Sequence, residues 1–287
     1  MTELPSSKLI AAIAQLASED GIQIDDISSA RKYLHENEIS SGNRLSILKR
    51  VPSSNIHRMQ RGEYWIGDIY SSNMLVASLN EIGFYLKDGM TVLDYGCSSG
   101  SLLRVLSYCY PGLIFLGCDP ISSAIKWADE NLKFENLSFF HQEQLPPLNI
   151  VSETVDLVTA ISIFSHHGIN AARLWLTEIA RILKPGGLLV MTYNDVGSLF
   201  DHANKNDRKS YKRILELYIM LLESGYVFEE VWTDRDDAGN VATANEWGNS
   251  YYSRLVIYAL STPYFQPLYH ARRLNQGRQD LLILRKW

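Results

Sequence analysis

Hydrophobic positions recur at a helical interval over the first third of the chain. Apolar side chains three or four residues apart predict one amphipathic helix near the N-terminus and another before residue 85. The positions that set this interval are Leu9, Ile10, Ile13, Leu16 and Ala17, then Met74, Leu75, Leu79, Ile82 and Phe84. We therefore expect residues 1–85 to form a helical N-terminal extension, interrupted by a loop at residues 60–67 that contains Tyr64 and Trp65.

The pattern changes near residue 90 to short apolar runs that alternate with amphipathic segments. Such alternation is typical of βαβ units and of a mostly parallel sheet with helices on both faces. We predict strands at 91–94, 113–118, 137–140, 155–161 and 188–193, and helices at 101–110, 123–132 and 170–183. Five strands joined by crossovers indicate a doubly wound α/β fold.

The pattern is weaker beyond residue 195. Residues 196–249 combine a predicted helix at 211–223 with the polar stretch 233–249, and a long insertion after the fifth strand of such a fold is usually functional or mobile. We then predict a helix at 250–260 and two antiparallel strands at 265–270 and 281–284. These strands would complete a seven-stranded, mostly parallel, Rossmann-like sheet.

Composition narrows the classes of function. Hydrophobic residues make up 46% and charged residues 21% of the 287 positions, which is typical of a globular chain that buries a core. The net charge of −5 lacks the basic excess that nucleic-acid binding needs. Three cysteines without paired spacing favour a reducing cytoplasm over a disulfide framework. No apolar run approaches the roughly 20 residues of a membrane span, and the N-terminal apolar stretch lacks the basic flank of a signal peptide.

A glycine-containing turn lies where the first predicted strand gives way to a helix. Its sequence is Asp94-Tyr95-Gly96-Cys97-Ser98-Ser99-Gly100. Glycine lets a ligand approach the backbone closely, and the N–H groups that begin a helix favour a polar or anionic ligand. The next strand ends at Asp119, where α/β nucleotide-binding folds place an acid that binds ribose hydroxyls. Together these features indicate a nucleotide-like ligand, and the alternative is a plain tight turn followed by a helix cap.

Further motifs follow in order along the same region. They are Val92–Cys97 with Gly100, Gly117–Pro120, Leu145–Pro147, Val155–Val158 and Arg181–Gly187. On these motifs, residues 57–195 resemble the class I S-adenosylmethionine-dependent methyltransferases. The segments 160–166 and 279–286 are similar to a bacterial branch associated with glycan or natural-product tailoring. The resemblance implies S-adenosyl-L-methionine as cofactor and S-adenosyl-L-homocysteine as product.

The resemblance also implies a set of cofactor contacts. The glycine turn would lie against the methionine part, Asp119 would bind the ribose hydroxyls, and two segments after the second and third strands would border the adenine. The residues are Asp94, Gly96, Cys97, Ser98, Gly100, Asp119, Pro120, Ile121, Glu143, Gln144 and Ile161. Ser98 stands where the family commonly has glycine, so we expect its φ to be negative. The family marker Lys184-Pro185-Gly186-Gly187 is interpreted as a helix stop, with the lysine in the last helical turn.

His166 is the candidate catalytic base. It follows the fourth strand, whose carboxyl end faces the ligand crevice in such sheets, and a histidine there can accept a proton from a hydroxyl. The alternative, weighed equally, is that His166 caps a loop or stacks on the substrate without moving a proton. The candidates for acceptor binding are Tyr64, Trp65, His167, Asn194, Trp247 and Tyr251, although aromatic residues at this density are often core. No histidine pair has metal-ligand spacing, so no metal ion is expected.

These observations lead to one function hypothesis with alternatives. We expect O-methylation of a small molecule such as a sugar or secondary metabolite, by a monomer or homodimer that uses no nucleic acid or membrane. The expected parts are an extension or lid at 1–85, an S-adenosylmethionine-binding core at 86–195, an acceptor-site cap at 196–249 and a C-terminal segment at 250–287. N-methylation is the second choice. An NAD-dependent oxidoreductase and a non-catalytic cofactor-binding module stay open, although the turn lacks the Gly-x-Gly-x-x-Gly fingerprint of the former.

Overall fold

The chain divides into two compact units that alternate along the sequence. The computed structural model describes residues 1–53, 56, 64–201, 208–229 and 247–287. The first unit consists of Met1–Met90, Cys97–Cys118 and Ser123–Phe140. The second consists of Thr91–Gly96, Asp119–Ser122 and His141–Trp287.

The first unit is mostly helical. Its helices are α1 (Pro5–Ser18), α2 (Ile27–Glu36), a 3-10 helix (Arg44–Lys49), α3 (Tyr64–Glu81), α4 (Ser101–Cys109) and α5 (Ser122–Asn131, from its second residue onward). It also carries most of β2 (Ile114–Asp119) and β3 (Leu137–His141). Helix α1 packs on α3 and α4 through the apolar positions that the helical interval predicted. The helical character of the N-terminal region is therefore confirmed for its described residues.

A buried ion pair joins two helices of this unit. The Arg104 guanidinium on α4 contacts the Asp68 carboxylate on α3, and it also donates to the backbone oxygen of Arg50. Arg104 is 1% exposed. Burial raises the pKa of Asp68, while the adjacent guanidinium opposes that shift. Truncating either side chain would leave the other charge buried without its partner, so the pair constrains how α3 lies on α4.

The second unit contains the remaining strands and helices. Its strands are β1 (Thr91–Tyr95), β4 (Val155–Ala160), β5 (Leu183–Tyr193), β6 (Tyr226–Glu229), β7 (Asn249–Tyr252), β8 (Phe265–Asn275) and β9 (Gln279–Lys286). Its helices are α6 (Ile169–Ile182), α7 (Val196–Asp201), α8 (Arg208–Ser224) and α9 (Arg254–Ser261). Strands β1, β4 and β5 run parallel, whereas β9 pairs antiparallel with both β5 and β8.

Within the described residues, seven strands form one sheet in the order β3-β2-β1-β4-β5-β9-β8, and β6 pairs with β7 in a separate sheet. The predicted α/β class, the seven strands and the antiparallel edge are confirmed. The carboxyl ends of β1, β4 and β5 share one edge because these strands are parallel, and Gly96, Ile161 and Asn194 follow those ends. Ligands of open α/β sheets bind at such an edge.

Two predictions of secondary structure were wrong. Tyr64–Gly67 form the first turn of α3 instead of a loop, while residues 60–63 lie outside the described residues. Residues 250–252 belong to β7 and not to a helix, because α9 begins only after Ser253, whose side chain accepts from the Val256 N–H. The polar stretch predicted at 233–249 falls largely outside the described residues.

The third correction concerns the Lys184-Pro185-Gly186-Gly187 marker. Helix α6 ends at Ile182, and the marker lies inside β5. Lys184 therefore does not occupy the last helical turn: its ammonium donates to both carboxylate oxygens of Asp156, at 2.8 Å each. Gly186 has φ +77, a backbone conformation that L side chains rarely adopt. Glycine at this position therefore permits an irregularity in β5, where the register between β4 and β5 shifts.

None of the helices in the described part of the chain combines the length and apolar character that a membrane span requires.

Candidate cofactor and acceptor site

Asp94 is a buried carboxyl group at the end of β1. Asp94 is only 5% exposed. Its Oδ1 accepts a 2.6 Å hydrogen bond from the Thr159 hydroxyl on the neighbouring strand β4. Burial raises the pKa of Asp94 to about 7, and the negative charge of Asp119 adds to this shift. The site therefore holds two carboxyl groups close enough to repel one another, which favours a ligand that brings positive charge or donors.

Replacing Asp94 with Asn should change how stability depends on pH. A carboxyl group whose pKa is near 3.8 unfolded and about 7 folded stabilises the fold below pH 4, and that contribution is lost as pH rises to 7. The loss amounts to as much as about 4 kcal/mol. We expect Asp94→Asn to raise the melting temperature at pH 8 and to flatten its decline between pH 5 and pH 8. Thermal unfolding across that range measures this, with Asp129→Asn on α5 as an exposed control.

Parallel pH profiles for Asp94→Asn and the wild type would contradict this assignment.

Asp119 is held in a defined orientation at the end of β2. Its Oδ1 accepts from the Ile121 N–H at 2.9 Å, and the residue is 6% exposed. Its backbone oxygen accepts from the Gln142 N–H at 3.2 Å, and the Pro120 oxygen accepts from the His141 ring at 3.2 Å. The structure thus brings together the two segments that the sequence placed around an adenine.

Gln142 is the residue of this loop that turns inward. It is 6% exposed, and its Oε1 atom is buried without a hydrogen-bond partner among the described residues. Glu143 and Gln144, which were named from the sequence, are both exposed. A buried acceptor without a partner costs free energy unless a ligand donor supplies the bond. The site residues chosen from the sequence were Glu143 and Gln144 instead of Gln142. Residues 142–144 are all polar, and their spacing alone does not show which of them is buried.

Gly96 has no room for a side chain. Its φ is +79, and a Cβ at this position would collide with the Ile163 side chain in the loop after β4. The neighbour that requires glycine here is thus a side chain 67 residues away, and close approach of a ligand to this backbone stays a prediction. Ile161, which ends the β4 segment, is partly exposed at the same edge.

The second half of the turn, from Cys97 to Gly100, begins helix α4. The Cys97 N–H donates to the Cys118 oxygen at 3.0 Å, and Cys97 itself is buried. Gly100 occupies the N-cap position with φ +76, and a Cβ there would lie 2.6 Å from the Phe139 ring. Both features require a small residue where the sequence has glycine.

Ser98 has φ +48, so the expectation of a negative φ was wrong. The turn keeps the left-handed conformation that glycine would adopt. Holding a serine in this conformation costs roughly 1–2 kcal/mol of folding free energy. We expect Ser98→Gly to raise the free energy of unfolding by about 0.5–1 kcal/mol after the greater chain entropy of glycine is deducted. Urea denaturation measures this change. Ser99→Gly is the matched control, and it should destabilise the protein because Ser99 has no positive φ.

A Ser98→Gly variant that is less stable than the wild type would contradict the strained geometry.

His166 is anchored to the segment that begins β7. Its Nδ1 donates to the Gly248 oxygen at 2.8 Å, and its own backbone oxygen accepts from the Gly248 N–H at 2.9 Å. The ring lies 5.1 Å from the Trp247 ring, between centroids. Because a carbonyl only accepts, the neutral imidazole carries its hydrogen on Nδ1 and its lone pair on Nε2. A partly exposed histidine with this tautomer can accept a proton at Nε2.

His167 is buried in an aromatic cluster, and its ring also lies 5.2 Å from the Trp247 ring, between centroids. Its Nε2 is 2.7 Å from the Tyr95 hydroxyl, and the rings of Phe164 and Trp175 pack around it. Burial lowers the pKa of His167 to about 3, with a smaller contribution from His166, so the ring is neutral. The hydroxyls of Ser250 and Tyr252 donate to its backbone oxygen. Its predicted role in acceptor binding stays a prediction, and its contacts are those of a core residue.

The other predicted acceptor residues are placed unequally. The Asn194 amide donates to the backbone oxygens of Ser165 and Ser250, at 3.3 and 3.2 Å, and so ties the His166 loop to β7. Tyr251 is fully buried and burial raises the pKa of its hydroxyl, whereas Trp247 is partly exposed beside His166. Tyr64 and Trp65 begin α3, but their side chains lie outside what the structure describes. Acceptor contact by any of these residues stays a prediction.

Among the described residues, no three His, Cys, Asp or Glu side chains lie together in a group that could hold a metal ion.

Comparison with known proteins places the chain in a family. A family model described as a methyltransferase domain matches residues 86–253, which is more than half of the chain. The PH0226 protein from Pyrococcus horikoshii has a similar fold, with a TM-score of 0.52 and 18% identity over 82% of this chain and 100% of that one. This likeness concerns the fold alone.

Two other solved structures are similar at lower TM-scores. A SAM-dependent methyltransferase from Methanosarcina mazei has 20% identity and a TM-score of 0.49, over 70% of this chain and 94% of that one. The N-methyltransferase NodS from Bradyrhizobium japonicum, crystallised with S-adenosyl-L-homocysteine, has 13% identity and a TM-score of 0.47, over 85% and 97%. The family match decides between methyl transfer and the hydride-transfer alternative. The chain therefore belongs to the methyltransferase-domain family and is a class I S-adenosylmethionine-dependent methyltransferase.

Proposed function

We propose that this methyltransferase methylates a hydroxyl group of a small molecule and that His166 is the general base. The observation that carries the proposal is the bond from His166 Nδ1 to the Gly248 oxygen, which assigns the lone pair to Nε2. Methylation of a hydroxyl requires that its proton be removed, and an oriented neutral imidazole suits that task near neutral pH. Methylation of a neutral amine needs no such group, because the nitrogen already carries a lone pair.

The residues present fit S-adenosylmethionine. The oriented Asp119 carboxylate would accept from the ribose hydroxyls, and the buried Gln142 Oε1 would accept from the adenine amino group. Asp94 would face the positively charged methionine part. When bound, the cofactor supplies a methyl group activated by its sulfonium. Because a cation beside Asp94 favours the ionised carboxylate, we expect cofactor affinity to increase as pH rises through about 7.

His166 would take up the hydroxyl proton at Nε2 and later release it to solvent. The Gly248 oxygen would stabilise the ring while it is charged, because it accepts the Nδ1 hydrogen in both states. Asn194 would act at a distance as a positioning residue, since its amide holds Ser165, the residue before His166. The aromatic ring of Trp247 would restrict where an acceptor ring or sugar can lie beside the base.

A small-molecule acceptor is favoured by the charge of the chain and by its insertion. The net charge of −5 does not favour a polyanion as substrate. The described ends of segment 196–249 are α7, which begins two residues after Asn194, and Trp247 with Gly248, which pair with His167 and His166. An acceptor-site cap built by this segment stays part of the proposal. All three cysteines are buried and lie outside disulfides, which fits a chain that works in the reducing cytoplasm.

The test is a turnover assay that reads S-adenosyl-L-homocysteine formation with matched acceptors. Pairs of compounds that differ only in a hydroxyl or an amino group, built on phenol and on sugar frameworks, separate the two reactions. The proposal expects turnover with hydroxyl members and loss of that turnover in His166→Gln. Turnover confined to the amines would favour N-methylation. Tight binding of S-adenosyl-L-homocysteine with no turnover for any pair would indicate a non-catalytic cofactor-binding module.

A further inference from the structure

Helix α8 carries apolar side chains on two faces. Ile214, Leu217 and Leu221 are buried and pack against α7, β6 and β7 in one hydrophobic cluster. On another face Tyr211, Leu215, Ile219 and Leu222 are 45, 40, 54 and 63% exposed. These four, called here the α8 stripe, are spaced four, four and three residues apart and therefore form one continuous row along the helix. No described residue buries this row.

Charged residues border the α8 stripe in an ordered way. Lys209 and Lys212 lie in the first half of the helix, and Glu216 and Glu223 lie in the second half. The Lys212 side chain is 80% exposed and the Glu216 side chain 50%, and their 3.9 Å contact is the weak pair of a solvated surface. Among the described residues, none forms an ion pair with Glu223. One end of the row is thus basic and the other acidic.

This distribution selects one arrangement of two copies. When two α8 helices pack antiparallel about a two-fold axis, the basic half of each helix faces the acidic half of the other. Lys212 then lies beside Glu223 of the partner subunit. A parallel arrangement would place like charges side by side. The mixed charges also give no preference for an anionic membrane surface, which selects helices with a basic border.

The spacing of the α8 stripe is compatible with the same axis. With the axis at the level of Leu217, Leu215 lies level with Ile219 of the partner subunit, and Tyr211, which is level with position 223, lies next to Leu222 of the partner subunit. Every apolar position of the row therefore meets another apolar position. A two-fold interface needs such self-complementarity, because the same patch is used on both copies.

We propose that the α8 stripe is the interface of a homodimer in which the α8 helices of two copies pack antiparallel. The four apolar side chains of the row and their four charged neighbours are far fewer than the roughly 20–30 residues per side of a standard interface. The dimer is therefore weak, with a dissociation constant in the micromolar range. This inference does not depend on the acceptor or on methyl transfer.

Sedimentation velocity over a concentration range from about 1 to 200 µM, chosen to bracket that constant, tests the proposal. We expect the wild-type sedimentation coefficient to rise with concentration from that of a monomer to that of a dimer. Ile219→Glu should weaken the dimer at least about 100-fold, because it places two like charges in an apolar contact. The matched control is Leu255→Glu, which changes an 82% exposed leucine on α9 and should dimerise like the wild type.

Charge reversal tests the antiparallel register. Lys212→Glu and Glu223→Lys should each weaken the dimer by about threefold to tenfold, as expected for rim charge pairs. The double variant Lys212→Glu/Glu223→Lys should recover the wild-type dissociation constant. Circular dichroism and the S-adenosyl-L-homocysteine affinity of each variant, both expected to match the wild type, show that the fold is retained.

A wild-type chain that stays monomeric at the highest concentration would overturn the proposal, including the case in which another part of the chain covers the α8 stripe. Dimerisation of Ile219→Glu with unchanged affinity would overturn it as well. A double charge variant that dimerises no better than the single variants would overturn the antiparallel register.

Discussion

Replacing Asp119 with Asn is expected to weaken binding of S-adenosylmethionine and S-adenosyl-L-homocysteine by about 100- to 1,000-fold. In the proposed binding mode the carboxylate would accept hydrogen bonds from two ribose hydroxyls, and charge-assisted bonds contribute roughly twice as much as neutral ones. The asparagine keeps an oxygen that can accept from the Ile121 N–H, so the local fold should persist. Isothermal titration calorimetry with both ligands measures the loss.

The same variant has a second consequence that does not depend on ligand binding. The negative charge of Asp119 contributes to the raised pKa of Asp94, so Asp119→Asn should move the pH dependence of stability to lower pH. Glu130→Gln, an exposed acid on α5, is the matched control and should change neither property. Unchanged affinity for both adenosyl ligands in Asp119→Asn would mean that the ribose does not bind at this carboxylate.

Replacing His166 with Gln is expected to reduce kcat for a hydroxyl acceptor by about 100- to 10,000-fold, the usual range for loss of a general base. Glutamine can still donate to the Gly248 oxygen, so the loop should keep its position while proton acceptance is lost. Affinity for S-adenosyl-L-homocysteine should stay within about twofold of the wild type, a difference of under 0.5 kcal/mol.

The pH profile separates a base from a positioning residue. In the wild type, kcat should fall on the acid side as the imidazole becomes protonated, and His166→Gln should lack this limb. His35→Ala on α2 is an exposed histidine control that should behave as the wild type. A His166→Gln enzyme with full activity toward a hydroxyl acceptor would remove His166 from the chemistry and favour an amine as acceptor.

Local signals carried most of the sequence prediction. The alternation of apolar runs after residue 90 specified the βαβ units, because each strand or helix encodes its own period within a few residues. The turn at 94–100 and the acid at 119 could also be recognised from the sequence, because the strand end, the glycines and the acid lie at short intervals. The predictions of a loop at Tyr64–Gly67 and of a helix at 250–252 were wrong because they relied on local composition alone. Glycine and aromatic composition predicts a loop, and tertiary contacts decided otherwise.

The strand β7 shows how those contacts override local preference. Residues 249–252 pair with β6, and the Ser250 N–H donates to the Ser165 oxygen across a long sequence separation. The sequence of so short a segment does not indicate which distant strand it will pair with. The same contacts hold the His166 loop. The mispredicted strand β7 is therefore the element that positions the candidate base.

The sequence by itself determined the fold class, the glycine-containing turn at 94–100 and the acid at the end of β2, because these depend on periodicity and on neighbouring residues. Only the tertiary structure decided which polar side chains are buried and what they contact. It selected Gln142 over its two exposed neighbours, gave Ser98 a left-handed backbone, and moved Lys184 from a helix end to the Asp156 carboxylate. It also turned His167 into the core and fixed the tautomer of His166 through a carbonyl 82 residues away. These outcomes depend on partners distant in sequence, and the free energy of burial and hydrogen bonding is defined only once such partners meet.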